Sequence, residues 1–163
     1  MQEEYGGIVQ EIAGELRARS YSCATAESCT GGMVGAALTA VPGSSEWYRG
    51  GIISYANEIK EKLLGVSRGD LETFGAVSRP VVLQMALGAC AAADADAAVS
   101  TSGIAGPGGG TPEKPVGTVW IGWAVRGRAR AEECHFSGGR DEVRRQAVRR
   151  ALQGLAQMLK ETA

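Results

Sequence analysis

The sequence has few imidazole and aromatic side chains and no marked excess of either charge. Its 163 residues include one histidine, 6% aromatic residues, and 17 Lys and Arg against 18 Asp and Glu. A balanced charge argues against nucleic-acid binding, which depends on a basic surface that displaces counterions from phosphates. The single imidazole argues against a metal centre. We therefore expect no nucleic-acid partner and no metal.

Long apolar runs and paired cysteines are also absent. A membrane span needs about 20 consecutive apolar residues, and the amino terminus MQEEYGGIVQ has neither the basic head nor the apolar core of a signal peptide. The cysteines lack CxxC spacing and are interpreted as free thiols; they are Cys23, Cys29, Cys90 and Cys134. We expect a cytoplasmic protein without membrane association.

The composition is that of one folded domain, with 44% hydrophobic and 21% charged residues. We assign residues 1–163 to a single domain. Periodicity predicts helices over 5–19, 31–41, 57–64, 81–93 and 141–160, and strands over 22–26, 51–55, 96–102, 118–125 and 129–136. Early helix and strand alternation with a late hairpin indicates an α/β layered domain, with a mixed, mostly parallel sheet covered by helices on both faces.

The segment TAESCTGG, residues 25–32, lies between the first predicted strand and a helix. Ligands of open α/β sheets gather at such places, where a tight turn leads to free N–H groups of a helix. Ser28 or Cys29 would stand at the start of the helix, with Thr30 as its N-cap. In the alternative, structural interpretation, the hydroxyls only cap the helix and the two glycines only pack on the sheet. The segment matches neither GxSxG nor SxxK.

A serine nucleophile needs a base, and His135 lies on the predicted hairpin among charged neighbours. A lysine can serve if an apolar setting lowers its pKa. On a helical projection of residues 57–64, Lys60 falls within the apolar arc and Lys62 on the wet face. Tyr55, at the end of the preceding strand, could relay or position the proton. The alternative is a snorkelling lysine beside a buried aromatic ring.

Cys29 is the rival nucleophile within this site. Thiols at helix N-termini have lowered pKa values and form thiolates readily. If strand geometry persists through the turn, the Cys29 side chain should point away from that of Ser28. Residues 103–117, rich in Gly and Pro, are too long for a simple turn and form a candidate functional loop.

Several motifs in one order resemble a known family: AESCTGG, GSSEWYRGG, SYANEIKEKLLGV, GAVS, STSGIAGPGGGTPEKPVGTV and FSGGRDEVRRQA. Over nearly the whole chain they resemble the nicotinamide mononucleotide deamidases, the family of the C-terminal domain of competence-damage-inducible protein CinA. The resemblance implies an amidohydrolase of pyridine nucleotide salvage that forms nicotinate mononucleotide and ammonia, and a homodimer. No cofactor is expected. The chain begins at the first helix, so we expect the stand-alone form, without the nucleotide-hydrolysing domain of many relatives.

The resemblance also implies roles for individual residues. The catalytic residues carried over by motif are Ser28 as nucleophile, and Tyr55 and Lys60 of the YxNxxK segment as its base. N–H groups of residues 29–31 would stabilise the oxyanion. The substrate phosphate needs a second anion site. The candidate substrate-binding residues are Thr30, Gly31, Gly32, Ser102, Gly103 and Arg140.

A second class of function competes with the enzyme. The chain could be a binding module that senses pyridine nucleotides, or recruits DNA-repair or competence-associated partners, without turnover. The presence of both Tyr55 and Lys60 favours the enzyme, because a binder has little use for a buried amine. Ammonia release from nicotinamide mononucleotide distinguishes the two.

Overall fold

Five strands and six α-helices follow one another along residues 2–162, the part of the chain that the computed structural model describes. The strands are β1 Cys23–Glu27, β2 Tyr48–Ile53, β3 Ala97–Gly103, β4 Thr118–Val125 and β5 Arg128–His135. The helices are α1 Gln2–Arg19, α2 Met33–Thr39, α3 Asn57–Leu64, α4 Arg68–Phe74, α5 Arg79–Ala93 and α6 Arg140–Glu161. The ends of the assigned domain, Met1 and Ala163, lie outside the described residues.

The strands form one mixed sheet in the order β2-β1-β3-β4-β5. Strand β1 is parallel to both β2 and β3, and β4 is antiparallel to both β3 and β5. Within residues 2–162, β4 therefore runs against the direction shared by the other strands. The predicted mixed, mostly parallel α/β sheet is confirmed.

Helices cover both faces of this sheet. On one face α1, α2 and α6 enclose a core that includes Leu16, Leu38 and Leu152. On the other face α5 lies on the sheet and carries α3 and α4, with Val82 and Met85 at the centre of the second core. Burying each such side chain contributes about 1.5–3 kcal/mol, so both layers hold the strand ends in place.

The start of α2 differs from the prediction. The helix begins at Met33, and its N-cap is Gly32 with φ 107°, not Thr30. Gly31 also has a positive φ of 56°, in a region that side-chain-bearing residues adopt only with strain. The two glycines therefore belong to the turn after β1, and the helix starts only after them.

Helix α4 was absent from the prediction. Its N-cap Ser67 accepts a hydrogen bond from the Asp70 N–H, a local signal of helix initiation. A helix of 7 residues offers too few turns for a clear periodic pattern. No helix among the described residues is both long and apolar enough to cross a membrane.

Candidate active site

The ends of β1 and β3 and the connection after β2 enclose a cavity of about 220 Å³. The two strands are adjacent and parallel, so their carboxyl ends meet at one edge of the sheet. Six of the predicted site residues line the cavity: Ser28, Tyr55, Lys60, Ser102, Gly103 and Arg140. The fold thus brings together groups that are more than 100 residues apart in the chain.

Lys60 is buried against Ser28. Its side chain is 1% exposed, and its Nζ lies 3.2 Å from Ser28 Oγ. The same nitrogen donates to the backbone carbonyls of Ser54 at 2.7 Å and Tyr55 at 3.0 Å. The predicted burial of Lys60 is confirmed. Leu63, which falls in the same arc of the projection, is largely exposed.

The surroundings favour the uncharged form of this amine. Burial lowers the pKa of Lys60, and the nearby Cys29 thiol, when ionised, acts in the opposite direction. A neutral amine has two N–H groups and one lone pair, and the two carbonyls can only accept hydrogen bonds. In the neutral form, with both N–H groups directed to Ser54 and Tyr55, the amine has its lone pair left to accept the Ser28 hydroxyl proton. This geometry is compatible with the predicted role of Lys60 as the base for Ser28.

Cys29 follows Ser28 in the chain, and burial shifts the pKa of its thiol in the opposite direction to that of the Lys60 amine. Its side chain is buried, and burial raises the pKa of this thiol to about 11. At neutral pH the group is therefore a thiol and not a thiolate. Its backbone carbonyl accepts a hydrogen bond from Arg144 Nε at 3.0 Å, which ties α6 to the turn after β1.

The N-terminus of α2 is occupied by a carboxylate of the chain itself. Glu27 Oε1 accepts from the N–H groups of Gly32 at 3.1 Å and Val34 at 2.9 Å, and Oε2 accepts from Gly35 N–H at 3.0 Å. The Thr30 hydroxyl also donates to Oε1 at 2.6 Å. Two of these four donors, Thr30 and Gly32, belong to residues that the sequence analysis predicts to bind substrate.

The substrate-binding roles of Thr30, Gly31 and Gly32 stay predictions, and the structure gives polar groups of all three residues partners within the protein. Thr30 is fully buried, between Glu27 and the Thr101 hydroxyl. The Gly31 N–H donates to the Ser28 carbonyl at 3.1 Å, and the Gly32 N–H donates to Glu27. None of the three lines the cavity around Ser28. These residues shape the turn, because the Thr30 hydroxyl and the Gly31 and Gly32 N–H groups have partners within the protein.

Tyr55 lies at the rim of the cavity. Strand β2 ends at Ile53, so Tyr55 belongs to the connection before α3, and its side chain is 65% exposed. Its backbone carbonyl is the part that accepts from Lys60. The proton-relay role of the phenol stays a prediction, and the exposed ring is also placed to contact a ligand.

Arg140 brings a positive charge to the other side of the cavity. It is the first residue of α6, and its Nη1 donates to the Gly106 carbonyl at 2.8 Å. This bond ties the Gly- and Pro-rich loop, residues 104–117, to the helix. Ser102 and Gly103, at the end of β3, complete that side of the cavity. The binding roles of these three residues stay predictions.

Sequence reasoning missed several residues of this site. Asn57, Ala76, Val77 and Ala105 also line the cavity. All four lie in motifs of the family resemblance, but Asn57 alone among them has a polar side chain that could have marked it as a site residue. Glu27 could have been suspected, because a carboxylate directly before a glycine turn can satisfy the free N–H groups of the following helix.

His135 is remote from this chemistry. It lies on β5, is exposed and pairs with Glu133 at 3.3 Å. Across residues 2–162, no three His, Cys, Asp or Glu side chains are grouped so that they could hold a metal ion.

A serine hydroxyl beside a buried lysine amine, at the carboxyl ends of parallel strands, is an arrangement typical of hydrolases that pair a serine with a lysine. The family comparison identifies the family of the chain. The CinA C-terminal domain family matches residues 7–159, and the chain belongs to this family.

Two relatives named as amidohydrolases are similar to this chain over nearly their whole length. The chain is 52% identical over 151 residues to nicotinamide-nucleotide amidohydrolase PncC of Escherichia coli K12, covering 92% of each chain. It is 46% identical over 151 residues to the protein of the same name from Pseudomonas putida, covering 93% of this chain and 94% of that one. The crystal structure of competence/damage inducible protein CihA from Agrobacterium tumefaciens superposes with a TM-score of 0.92 at 42% identity, covering 96% of each chain.

Proposed function

We propose that this domain is a nicotinamide-nucleotide amidohydrolase, which converts nicotinamide mononucleotide to nicotinate mononucleotide and ammonia in pyridine nucleotide salvage. The observation that carries the proposal is the buried Lys60 amine, 3.2 Å from Ser28 Oγ in an open cavity. The 52% identity to a named nicotinamide-nucleotide amidohydrolase supplies the substrate class.

Acylation starts from the neutral amine of Lys60. Lys60 takes the hydroxyl proton of Ser28 as its oxygen attacks the carboxamide carbon, and the carbonyl oxygen becomes an oxyanion. When the C–N bond breaks, the Lys60 ammonium returns this proton to the leaving nitrogen, which departs as ammonia. The substrate remains on Ser28 as an ester.

Deacylation repeats these steps with water. Lys60 takes a proton from a water molecule, which attacks the ester carbon, and then returns the proton to Ser28 as the C–O bond breaks. Nicotinate mononucleotide leaves, and the resting hydroxyl and neutral amine are restored. One lysine thus acts as base and acid in both halves of the reaction.

The oxyanion needs N–H donors that are not already engaged. The Gly31 N–H donates to Ser28 O within the turn, so it is engaged. We therefore assign the role to the N–H group of Cys29, the first residue after the nucleophile and itself part of the cavity lining. Loss of one such donor typically slows an enzyme about 10²–10³-fold.

The nucleotide is held from the opposite side of the cavity. Arg140 supplies the positive charge for the 5′-phosphate, since a guanidinium can bind two phosphate oxygens at once. Ser102 and Gly103 line the same cavity as Ser28 and Arg140, and we assign to them the contacts with the ribose. The exposed ring of Tyr55 contacts the ligand at the rim.

Assembly and compartment are part of the same proposal. A cytoplasmic homodimer without nucleic-acid partners is supported by the sequence resemblance, by four free cysteines and by a net charge of -1. Light scattering of the purified protein tests the dimer.

The experiment measures ammonia release from nicotinamide mononucleotide by the purified protein, with and without a chelator, and with nicotinamide as a substrate that lacks the phosphate. We expect turnover of the nucleotide that the chelator leaves unchanged, and little turnover of nicotinamide. Binding of the nucleotide without ammonia release would favour the sensing module instead.

A further inference from the structure

Glu27 is the most heavily hydrogen-bonded carboxylate beside the site, and the reaction above does not use it. Its side chain is 2% exposed and does not line the cavity of Ser28. Alternation along β1 directs the Ala24 and Ala26 side chains to the α5 face, so Glu27 points to the opposite, α2 face. A direct role on the substrate is therefore excluded by its position.

The four groups around this carboxylate are all donors. They are the N–H groups of Gly32, Val34 and Gly35 and the hydroxyl of Thr30, at 2.6–3.1 Å. A carboxylate only accepts hydrogen bonds, so it satisfies all four, whereas the amide nitrogen of a glutamine can only donate. The position therefore requires an acid, and not merely a polar side chain of this size.

These hydrogen bonds join the two ends of the turn that carries the nucleophile. Ser28 lies in the chain between Glu27 and the residues that donate to it, so the carboxylate fixes both ends of this turn. Thr30 also connects the turn with β3, because its hydroxyl lies 2.8 Å from that of Thr101. The Thr101 carbonyl accepts the Ser28 N–H at 3.1 Å.

The backbone of Glu27 reaches the other partner of the reaction. Its carbonyl accepts the Ser54 N–H at 2.7 Å, and the Ser54 carbonyl accepts from Lys60 Nζ at 2.7 Å. One residue thus connects the turn of the nucleophile with the carbonyl that orients the base.

We propose that Glu27 is a positioning residue, whose carboxylate holds the turn so that Ser28 Oγ stays aligned with Lys60 Nζ. The inference rests on the proposed amidohydrolase function. It assigns to Glu27 an effect on the rate of the chemical step and none on substrate binding.

The principal test is Glu27→Gln, which keeps the size of the side chain and replaces one acceptor by a donor. We expect kcat for nicotinamide mononucleotide to fall about 10–100-fold, the size of effect that small misplacements of reacting groups produce. KM should stay within about threefold, because the cavity lining is intact. The pH at which kcat rises should not shift, because it reports on Lys60.

A matched control removes a different helix cap. Ser67→Ala deletes the side-chain acceptor at the start of α4, which lies outside the site. It should lower Tm by about 2–4 °C and leave kcat unchanged. If Glu27→Gln likewise lowers only Tm, or raises KM at constant kcat, the inference is overturned.

Two variants of Thr30 test the same proposal if Glu27→Gln does not fold. Thr30→Val removes the hydroxyl donor to Glu27, and Thr30→Ser retains it. We expect kcat about 3–10-fold lower in the first and within about twofold of wild type in the second, as for the loss and retention of one hydrogen bond. Equal rates in the pair would contradict the proposal.

Labelling by an alkyl fluorophosphonate separates this inference from the substrate assignment. The Ser28 oxygen displaces fluoride from phosphorus, and its proton passes to Lys60, so the rate depends on the same alignment. A 10–100-fold slower labelling of Glu27→Gln supports the inference even if wild type released no ammonia from nicotinamide mononucleotide. Unchanged labelling would overturn it.

Discussion

Burial has opposite chemical consequences for the two groups beside Ser28. Desolvation favours the uncharged form of an ionisable group. For Lys60 the uncharged form is the amine, which can accept a proton, and for Cys29 it is the thiol, a poor nucleophile. The same buried surroundings therefore favour a lysine that can accept a proton and a cysteine that is not ionised.

This difference predicts the outcome of two alanine variants. Ser28→Ala should lower the rate of ammonia release at least about 10³-fold, as loss of a nucleophile does in other serine hydrolases. Cys29→Ala should keep the rate within about threefold, since the thiol is not ionised at neutral pH. The measurement is ammonia release at saturating nucleotide. Loss of activity in Cys29→Ala with retention in Ser28→Ala would move the nucleophile to the thiol.

Lys60 and the turn after Ser28 illustrate what a sequence can and cannot reveal. Lys60 was identifiable because a lysine on the apolar side of a short helix is costly unless its charge is lost. The substrate-binding roles predicted for Thr30, Gly31 and Gly32 came from the general rule that a helix start attracts an anion, and this rule does not say which anion. Here Glu27, one residue before Ser28, fills that place.

At the level of elements, the position of Lys60 depends on how α3 rests on α5. The two helices meet at Gly88, where an added Cβ would lie 2.0 Å from the Leu64 carbonyl oxygen. No side chain of Gly88 separates the helices, so α3 lies close enough for Lys60 to reach Ser28. The absence of a Cβ at this one position thus serves the site.

Gly88→Ala should therefore separate α3 from α5. We expect the free energy of unfolding to fall by about 1–3 kcal/mol from overpacking, despite the higher helix propensity of alanine. Since α3 carries Lys60, kcat should fall as well. Gly14→Ala is the control, because Gly14 lies in α1 with nothing within 4 Å of its Cβ position. It should stabilise by up to about 1 kcal/mol. Urea unfolding gives the free energy of unfolding of both variants. An equal change in Gly88→Ala and Gly14→Ala would contradict the packing role of Gly88.

Element boundaries were predictable where a local signal sets them. Helix α3 has the predicted bounds, Asn57–Leu64, because Gly65 ends it with φ 70°. Strand β2 was expected over 51–55 but spans Tyr48–Ile53, because its start is fixed by pairing with β1 and not by its own two glycines. Pairing is a property of the sheet, which a pattern within one strand does not contain.

At the scale of the whole molecule, the site exists only because of the strand order. Ser28 follows β1, Ser102 lies on β3 and Arg140 begins α6, so no segment of the chain contains the site. The general rule that ligands bind beyond the carboxyl ends of the strands of an open α/β sheet directed the sequence analysis to the segment after β1. The distance from Ser28 to Lys60 does not follow from this rule, because it depends on the packing of α3 against α5.

The buried amine should also appear in the stability of the whole domain as a function of pH. Folding lowers the pKa of Lys60 from its usual 10.5, so between the lowered value and 10.5 the unfolded chain binds one proton more than the folded chain. Stability therefore rises with pH in that window, by about 1.4 kcal/mol per pH unit, and falls as the pH drops and the buried amine must accept a charge.

Lys60→Met isolates this contribution, because it keeps a long apolar side chain and removes the titrating group. Urea unfolding of both proteins from pH 7 to 10.5 gives the difference in their free energies of unfolding, in which the titration of all other groups cancels to first order. We expect the free energy of unfolding of wild type to increase relative to that of Lys60→Met as the pH rises. A difference that stays constant over this range would mean that folding leaves the lysine pKa unchanged, and Lys60 would then be a charged amine at neutral pH and no base for Ser28.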